Sequence, residues 1–541
     1  MKARALMVQG TASHVGKSVL CTALCRIFRD DGFRTAPFKA QNMSLNAYVT
    51  AEGGEIARAQ GVQAEAAGIE ATAEMNPILL KPKGGALAEA VIRGKSWKDI
   101  SAATYWMQEQ PGLWQAVVES LARLQESFEV LVIEGAGSPA EINLRGRDLT
   151  NMAVAALADA PVVLVADIDR GGVFASLVGT CELLTDQERL RIKGFVINKF
   201  RGDVRILTPG LDFLEARTGC PVLGVLPYLE DLGIEAEDSV GLGGEREKPD
   251  ADLDLAVLRL PQISNFSDFE PFLLEPDVAV RYVRHPAALG RPDVLFIPGT
   301  KNTMRDLAHL YASGWAETIK RFAEGGGLVV GICGGYQMLG HELHDPLGCE
   351  DGIRRLPGLG LLDVTTVFRA NKTTRRVAGY TLPVPGPLGA VHREQVTGYE
   401  IHFGETWQVA GDPPTRPADP LTRVPPGTPN GDSQVPRAVF SVRDGEMEFG
   451  EGAVDTAGGV WGSYLHGVFE ADGFRRRWLN AVREHHGLAP GRRQAVSFSA
   501  AKDDAFDRLA AVVRRHLDLE KVYGWLGLPS PGGMRDGHGA D

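Results

Sequence analysis

The stretch ALMVQGTASHVGKSVLCTALCRIFR, residues 5–29, decides the fold of the first half of the chain. An apolar run, Leu6–Val8, leads into the glycine loop GTASHVGKS at residues 10–18, and a segment with helical spacing follows it. A glycine loop between a strand and a helix turns several backbone N–H groups toward one anion, and the helix N-terminus adds positive charge. The stretch therefore predicts a phosphate-binding loop in an α/β domain.

Two side chains of the loop have expected roles in nucleotide binding. Lys17 would neutralise the β- and γ-phosphates, and Ser18 would offer its hydroxyl to Mg²⁺. Five residues separate the two glycines where the common pattern has four, so a chance Gly-Lys-Ser in an ordinary turn is the alternative. The expected ATP site consists of Gly10, Thr11, Ser13, Gly16, Lys17, Ser18, Lys39 and Asn198.

Further apolar runs continue outward from this stretch. Buried, β-branched runs separated by helix-length segments predict a parallel sheet covered by helices. The runs are Val130–Ile133, Val162–Ala166, Phe195–Ile197 and Val222–Leu226.

Carboxylates follow two of these runs. Open α/β sheets bind ligands at the carboxyl ends of their strands, and Mg²⁺ prefers hard oxygen ligands. We therefore expect Glu134 and Asp167, together with Ser18, to hold the metal. The alternative is a role as a helix cap or turn residue, which is the ordinary one for Asp169.

Two more strand ends carry polar residues whose roles stay open. Lys39, in FKAQNMS, is either a second cation facing the phosphates or a solvated loop lysine. Asn198 and Asp203, in FVINKFRGD, either read a purine edge by hydrogen bonds or shape a turn.

The α/β pattern stops at residues 239–252, a charged, glycine-rich stretch that predicts a linker. A second α/β series follows at Leu255–Leu260, Val294–Pro298 and Leu328–Ile332. The expected organisation is a P-loop domain at 1–238, a second α/β domain at 253–485 with a Pro-rich insertion at 408–437, a C-terminal helical segment at 486–528 and a disordered tail at 529–541.

A cysteine lies at a glycine-rich turn in the second series. The sequence GLVVGICGG, residues 327–335, runs from a buried strand into Cys333 and on into a helix. This pattern is typical of a nucleophile elbow with Cys in place of Ser, in which backbone N–H groups bind an oxyanion. The alternative is a buried, inert cysteine.

A cysteine nucleophile needs a base within reach. His466, at the end of the strand-like run in WGSYLHGVFE, is the expected base, and His402 is its chief competitor. Gly334 and Gly299, the latter in FIPGTKNT, are expected to offer N–H groups to the oxyanion.

Composition limits the classes of function. The chain has 541 residues and a formal net charge of −12, which argues against a general nucleic-acid binder. Six cysteines are too few for a disulfide scaffold of this size, so we expect a reducing, cytoplasmic setting. The start shows no signal-peptide pattern, and no run of 18 or more apolar residues predicts a membrane span.

These motifs together resemble the cobyric acid synthase family, in which a domain similar to dethiobiotin synthetase precedes a class I glutamine amidotransferase domain. The motifs that match in order are GTASHVGKS, FKAQNMSLNA, EGAGSPAEINLR, DIDRGGVFAS, INKFRGD, PGTKNT, GICGGYQMLG, GYEIHFG and SYLHGVF. The resemblance covers nearly the whole chain and implies an α/β fold with a P-loop synthetase domain and an amidotransferase domain.

The resemblance also implies a reaction. ATP with Mg²⁺, and glutamine as nitrogen donor, would convert the b, d, e and g carboxylates of adenosylcobyrinic acid a,c-diamide to amides in cobalamin biosynthesis. The corrinoid is then a substrate, and no prosthetic group is implied. Cys333 would be the nucleophile and His466 its general base and acid. Many triad amidotransferases carry a Glu two residues after the His, but Val468 stands there, so a backbone carbonyl or a remote carboxylate must orient the imidazole.

Other functions remain open on the sequence alone. A partitioning-type ATPase would carry a lysine where Thr11 stands. A sister enzyme that amidates the a and c carboxylates, or a cysteine hydrolase with a regulatory ATPase domain, would share the main motifs. Arg145 and Arg147 either meet substrate carboxylates or are exposed structural arginines.

Overall fold

The computed structural model describes most of the chain. The described residues are 2–84, 87–101, 105, 111–144, 146, 148–230, 233–234, 248, 250–350, 352–408, 438–445, 447–491 and 496–530. Most of the predicted linker, residues 409–437 of the Pro-rich insertion, Arg145, Arg147 and residues 531–541 lie outside them.

Helices and strands alternate along both halves of the chain. The helices are α1 Lys17–Asp30, α2 Arg58–Ala66, α3 Pro111–Ser127, α4 Met152–Ala158, α5 Val173–Leu183, α6 Asp186–Arg189, α7 Val204–Thr218, α8 Glu270–Leu273, α9 Thr303–Ala312, α10 Trp315–Glu324, α11 Gly334–Leu339, α12 Gly386–Gly389, α13 Asp472–His485, α14 Phe498–His516 and α15 Leu519–Leu526. The strands are β1 Arg4–Gly10, β2 Thr35–Phe38, β3 Gln41–Met43, β4 Ala47–Val49, β5 Glu55–Ala57, β6 Ile78–Gly84, β7 Leu87–Ile92, β8 Lys95–Ser101, β9 Val130–Glu134, β10 Val162–Asp167, β11 Ile192–Phe200, β12 Val222–Pro227, β13 Leu253–Leu258, β14 Val278–Val283, β15 Val294–Ile297, β16 Leu328–Ile332, β17 Glu342–His344, β18 Arg355–Pro357, β19 Val364–Thr381, β20 Gln395–Gln408, β21 Phe440–Asp444, β22 Met447–Glu451, β23 Ala453–Val454 and β24 Val460–Ser463.

The chain forms two compact units. The first contains the described residues of 2–44, 54–237 and 501–530, and the second contains those of 45–53 and 238–500. The short segment 45–53 therefore belongs to a different unit from the residues on either side of it.

A six-stranded parallel sheet forms the centre of the first unit, in the order β12-β11-β10-β1-β9-β2. The sequence predicted five of these strands, all but β2, and their largely buried apolar runs account for the parallel arrangement. Strand β1 lies between β10 and β9, with Gly10 opposite Val165 and Val8 opposite Glu134. The glycine loop and Glu134 thus leave the sheet at the same edge.

The second unit contains a sheet in the order β14-β13-β15-β16-β24-β23, parallel except for β23. A second sheet, β18-β17-β19-β21-β22, carries β20 paired antiparallel to β19. Because β16 and β24 are parallel neighbours, with Ile332 opposite Ser463, the residues that follow these two strands meet at one edge.

The segment predicted to be helical at 486–528 contains α14 and α15, and its described residues from 501 onward belong to the first unit. Phe506, Leu509 and Val513 are buried with Leu6 and Val8 in one core. Apolar spacing predicts that a helix has a buried face, but it does not indicate which sheet covers that face.

Within the described ranges, every helix is too short or too polar to cross a lipid bilayer.

Candidate functional site

The glycine loop connects β1 to α1 and is held tightly by its neighbours. Thr11 N–H donates to Val165 O at 3.0 Å, and Asn198 Nδ2 donates to Val15 O at 2.9 Å. Gly16 has a φ of +100°, and a Cβ there would lie 2.1 Å from Asn198 Nδ2, so only glycine fits. Asn198, expected to read a base, thus supports the loop backbone.

Lys17 begins α1, and its ammonium lies across the loop. Its Nζ donates to Ala12 O at 2.8 Å and to Gly137 O at 3.1 Å, and the side chain is buried. A cation held between two backbone carbonyls at a helix N-terminus can exchange one of them for a phosphate oxygen. The role of Lys17 at the β- and γ-phosphates stays a prediction.

Glu134 lies at the centre of a polar cluster at the end of β9. Its Oε1 accepts from Ser18 Oγ at 2.8 Å and from Lys39 Nζ at 2.7 Å. Its Oε2 accepts from Gln63 Nε2 at 2.6 Å and from Gln60 Nε2 at 3.5 Å. Lys39, for which the sequence left two roles open, is a buried partner of this carboxylate.

The donor set around Glu134 suits Mg²⁺. A carboxylate and a hydroxyl beside a phosphate loop are the hard oxygen ligands that this ion takes, and it keeps several waters. The described residues contain no group of three or more His, Cys, Asp and Glu side chains that could hold a metal alone, so substrate phosphates and waters would complete the coordination.

Asp167, the other expected metal ligand, has basic partners. Its Oδ2 accepts from Lys199 Nζ at 2.8 Å, and Lys199 also donates to His14 O at 2.7 Å. Asp167 therefore contacts the loop through Lys199, while its Oδ1 accepts from Asp169 N–H. Asp203 caps α7 by accepting from Arg205 N–H at 3.0 Å, which is the turn role left open by the sequence.

A cavity of about 1170 Å³ opens beside the loop within the first unit. Ser13, Gly137, Asp148 and Asn151 are among the residues that line it. The Oδ1 atom of Asn151 is buried without a hydrogen-bond partner, although Asn151 Nδ2 donates to Ala136 O at 2.7 Å. The cavity is large enough for a bulky acid substrate next to the phosphates.

Cys333 occupies a sharp turn between β16 and α11. Its φ of 53° and ψ of −108° are strained for a residue with a side chain, as in a nucleophile elbow. Gly335 has no room for a Cβ, which would lie 1.9 Å from Ile297 O. The Cys333 thiol donates to Ile401 O at 3.7 Å, and its sulfur is near enough to His466 to act on the pKa of that imidazole.

Asp268 completes a Cys-His-Asp arrangement that the sequence did not reveal. Its Oδ2 lies 2.7 Å from His466 Nδ1, and its Oδ1 accepts from Gly467 N–H at 2.8 Å. Asp268 lies in the 3₁₀-helix Phe266–Phe269, which follows β13 along the chain. The last residue of β13 is Leu258, ten positions before Asp268, so the strand-end argument that pointed to Glu134 does not reach this residue.

The surroundings of His466 favour its charged form. Burial opposes protonation, but the carboxylate of Asp268 and the sulfur of Cys333 outweigh it and raise the pKa of His466 to about 10. The imidazole therefore carries its proton at neutral pH when paired with both groups. Val468, at the position where the sequence looked for a Glu, is buried in the apolar core.

The two glycines expected at the oxyanion border the space around these groups. A Cβ on Gly299 would lie 2.9 Å from His466 Cε1, and one on Gly334 would lie 2.7 Å from Thr300 Cγ2. His402 stacks on Tyr464 with ring centroids 3.6 Å apart, and its Nδ1 lies 3.1 Å from Gly404 O. The structure thus brings His466, rather than His402, to the thiol.

Two family models match the chain in sequence order. Residues 6–240 match the CobQ/CobB/MinD/ParA nucleotide binding domain, and residues 254–474 match the CobB/CobQ-like glutamine amidotransferase domain.

Relatives match over nearly the full length of the chain. A cobyric acid synthase of Pelotomaculum thermopropionicum is 50% identical, covering 99% of this chain and 99% of the relative. One of Desulforamulus reducens is 48% identical (97% and 98%), and one of Dehalococcoides mccartyi is 47% identical (97% and 99%). The chain belongs to the cobyric acid synthase family. The resemblance inferred from the motifs is confirmed, as are the α/β fold and the enzyme class that it implied.

Proposed function

We propose that this member of the cobyric acid synthase family uses ATP and glutamine to amidate the b, d, e and g carboxylates of adenosylcobyrinic acid a,c-diamide, giving adenosylcobyric acid. The observation that carries the proposal is the presence of two complete sets of reactive groups in one chain. One is the glycine loop with Lys17, Ser18 and Glu134, and the other is Cys333 with His466 and Asp268.

The first set would activate the acid. A carboxylate is a poor acyl donor because oxide is a poor leaving group. An acyl phosphate is a good acyl donor because phosphate is a stable leaving group. The loop N–H groups and Lys17 would bind the ATP phosphates, and the charge of Lys17 would stabilise the γ-phosphoryl group as it passes to the substrate carboxylate. Mg²⁺, held by Ser18 and Glu134, would supply charge neutralisation between the phosphates. Lys39 would then be freed from Glu134 to face the phosphates.

The second set would release ammonia from glutamine. The imidazolium of His466 stabilises the thiolate of Cys333, which attacks the amide carbon of glutamine. His466 then gives its proton to the departing ammonia, leaving a glutamyl thioester. Water, deprotonated by His466, hydrolyses the thioester to glutamate and returns the cysteine. Backbone N–H groups at Gly299 and Gly334 are the proposed oxyanion donors, and Asp268 holds the imidazole in the productive tautomer.

The cavity beside the loop is the proposed place of the corrinoid. Its volume of about 1170 Å³ suits a large ring, and its wall includes Ser13 of the loop. The carboxylate to be activated would lie near Gly137, next to Lys17 Nζ.

The sister reaction, amidation of the a and c carboxylates, is the nearest alternative. Full-length identity of 47–50% to cobyric acid synthases favours the proposed substrate. The same full-length similarity favours the proposed reaction over a cysteine hydrolase with a regulatory ATPase domain.

Mass spectrometry of the corrinoid tests the proposal directly. After incubation with ATP, Mg²⁺ and glutamine, the a,c-diamide should lose about one dalton four times, because each OH is exchanged for NH₂. Cobyrinic acid, offered in parallel, should be a poorer substrate. Two such steps on cobyrinic acid and none on its diamide would establish the sister reaction instead. Glutamate release without any change in the corrinoid mass would support the hydrolase.

A further inference from the structure

Asp306 is a buried carboxylate in the second unit to which the proposed reactions give no role. It lies in the first turn of α9 and is fully shielded from solvent. Its Oδ2 accepts from the Thr300 hydroxyl at 2.5 Å and from Gln262 N–H at 3.2 Å. A carboxyl group is costly to bury unless it is hydrogen-bonded, and here one oxygen binds two separate segments of the chain.

One of these segments carries a proposed oxyanion donor. We call residues 299–301 the oxyanion turn, because Gly299 is such a donor. The turn pairs antiparallel with the segment around Gln262, since Lys301 N–H donates to Gln262 O at 3.0 Å and Ser264 N–H donates to Gly299 O at 2.9 Å. These backbone bonds hold the two segments to each other, and the carboxylate attaches the pair to α9.

The hydroxyl of Thr300 lies at the centre of this attachment. Besides its bond to Asp306, it donates to Gln262 O at 3.0 Å and accepts from Asn302 N–H at 3.3 Å. Asn302 itself caps α9 by accepting from Arg305 N–H at 2.9 Å. The side chain of Thr300 is therefore held in one orientation by the start of the helix.

The methyl group of Thr300 packs against the turn that carries the nucleophile. A Cβ on Gly334 would lie 2.7 Å from Thr300 Cγ2 and 3.3 Å from Thr300 N, and one on Gly299 would lie 2.9 Å from His466 Cε1. The position of Thr300 thus sets how closely the oxyanion turn approaches both residues. Distance matters here because an oxyanion donor acts at about 2.7–3.1 Å from the oxygen.

We propose that Asp306 is a positioning residue for glutamine hydrolysis. Through Thr300 it holds the oxyanion turn at the place from which the N–H groups of Gly299 and Gly334 reach the same oxyanion. Asp306 neither binds glutamine nor transfers a proton. The inference rests on the proposed function, since the oxyanion is the one formed when the thiolate attacks the glutamine amide.

The hydrogen bonds of Asp306, rather than its charge, carry this role. Both donors reach Oδ2, whereas Oδ1 is buried and has no hydrogen-bond partner among the described residues. An amide can therefore replace the carboxylate, with its oxygen in place of Oδ2 and its nitrogen in place of Oδ1. Asp306→Asn should keep the oxyanion turn in place, and Asp306→Ala should release it.

Two threonine variants separate the turn from general stability. Thr300→Val keeps the methyl group that packs on Gly334 but removes the hydroxyl. Thr381→Val is the matched control in the same unit, because Thr381 is also buried, donates to Val391 O and accepts from Glu394 N–H at 2.9 Å. Its hydroxyl too joins two segments of main chain, but neither carries a proposed site residue.

The first measurement is steady-state glutamate release in the presence of Mg-ATP and the corrinoid diamide. In Asp306→Ala and Thr300→Val, kcat should fall by about 10²-fold, as for a misplaced reacting group, while KM for glutamine stays within about twofold. Asp306→Asn and Thr381→Val should retain most of the unaltered kcat.

The second measurement is the alkylation of Cys333 by iodoacetamide, followed by mass spectrometry of the peptide that contains this cysteine. In that reaction the thiolate displaces iodide and no tetrahedral oxyanion forms, so the rate depends on the thiolate alone. All four variants should be alkylated at the rate of the unaltered chain.

An unaltered kcat in Asp306→Ala, or a loss in Asp306→Asn as large as that in Asp306→Ala, would overturn the proposal. So would an equal loss in Thr381→Val, or an alkylation rate that falls in proportion to glutamate release. If Cys333→Ala released glutamate from glutamine at the unaltered rate, the proposed function would fail instead, which keeps the two inferences distinguishable.

Discussion

At the scale of single residues, the strength of the glutaminase assignment lies in Asp268. A cysteine and a histidine at two strand ends could meet by chance, but a buried carboxylate that binds both His466 Nδ1 and Gly467 N–H has a defined role. It favours the tautomer with the proton on Nδ1, which leaves Nε2 as the nitrogen that can exchange a proton.

Asp268→Asn should therefore reduce glutamate release by about 10²–10⁴-fold while leaving ammonium-dependent amidation unchanged. Without the carboxylate the pKa of His466 falls from its raised value, so the imidazolium is lost at a lower pH. The alkaline limb of the pH–rate profile for glutamate release should move toward lower pH. If the alkaline limb of the Asp268→Asn profile stays at the same pH, Asp268 does not act on the imidazole.

Cys333→Ala should abolish amidation with glutamine but spare amidation with added ammonium salts, because only the release of ammonia needs the thiol. The corrinoid mass after each incubation distinguishes the two nitrogen sources. An equal loss of amidation with glutamine and with ammonium salts would contradict separate roles for the two sites.

Lys17→Ala should disable amidation with either nitrogen source, because Lys17 is the cation that holds the loop and would neutralise the phosphates. Corrinoid mass is again the measurement. If the Lys17→Ala variant still carries out ATP-dependent amidation, the loop lysine is not needed for the reaction.

At the scale of elements, strand β22 ends in a buried acidic residue that contacts the end of β24. Glu451 is buried, and Oε2 accepts from Ser463 Oγ at 2.7 Å while Oε1 accepts from Tyr464 N–H at 2.6 Å. Burial and the neighbouring Glu400 raise the pKa of Glu451 to about 8, against the opposing effect of these hydrogen bonds.

A raised carboxyl pKa makes stability fall as pH rises. Below the ordinary glutamate pKa of 4.5 the group is protonated in both the folded and the unfolded state, and between 4.5 and about 8 only the folded state keeps the proton. Glu451→Gln should therefore raise the unfolding temperature more at pH 8.5 than at pH 5.5, by about 2–4 °C for each kcal/mol relieved.

Glu448→Gln is the control for this effect on the same strand. The pKa of Glu448 is lowered, chiefly by hydrogen bonds from Ser441 and Tyr380, so its removal should give no gain at high pH. If Glu451→Gln changes the unfolding temperature by the same amount at pH 5.5 and at pH 8.5, Glu451 is ionised in the folded protein over that whole range.

At the scale of the whole molecule, the end of the chain completes the unit that its start begins. Helix α14 buries Phe506 and Leu509 in the same core as β1, and Arg26 of α1 pairs with Asp507 at 2.7 Å. The phosphate loop is thus supported by residues about 490 positions further along the sequence.

Phe506→Ala should destabilise the first unit by about 3–5 kcal/mol, the usual cost of removing a buried aromatic ring. Asp504→Ala, at an exposed position of the same helix, should change stability by less than about 0.5 kcal/mol. Chemical denaturation followed by fluorescence would measure both. Equal effects would contradict the docking of α14 on this core.

Local patterns of residues were enough to predict the parallel sheets, the loop with Lys17 and Ser18, and the elbow at Cys333, because strand periodicity and glycine spacing are local properties of the chain. The contact of Asp268 with His466, the pairing of Lys39 with Glu134 and the place of residues 501–530 in the first unit became visible only in the folded chain. These pairings join residues far apart in the sequence. They depend on which strands lie side by side and which faces they cover, and no local pattern of residues encodes that choice.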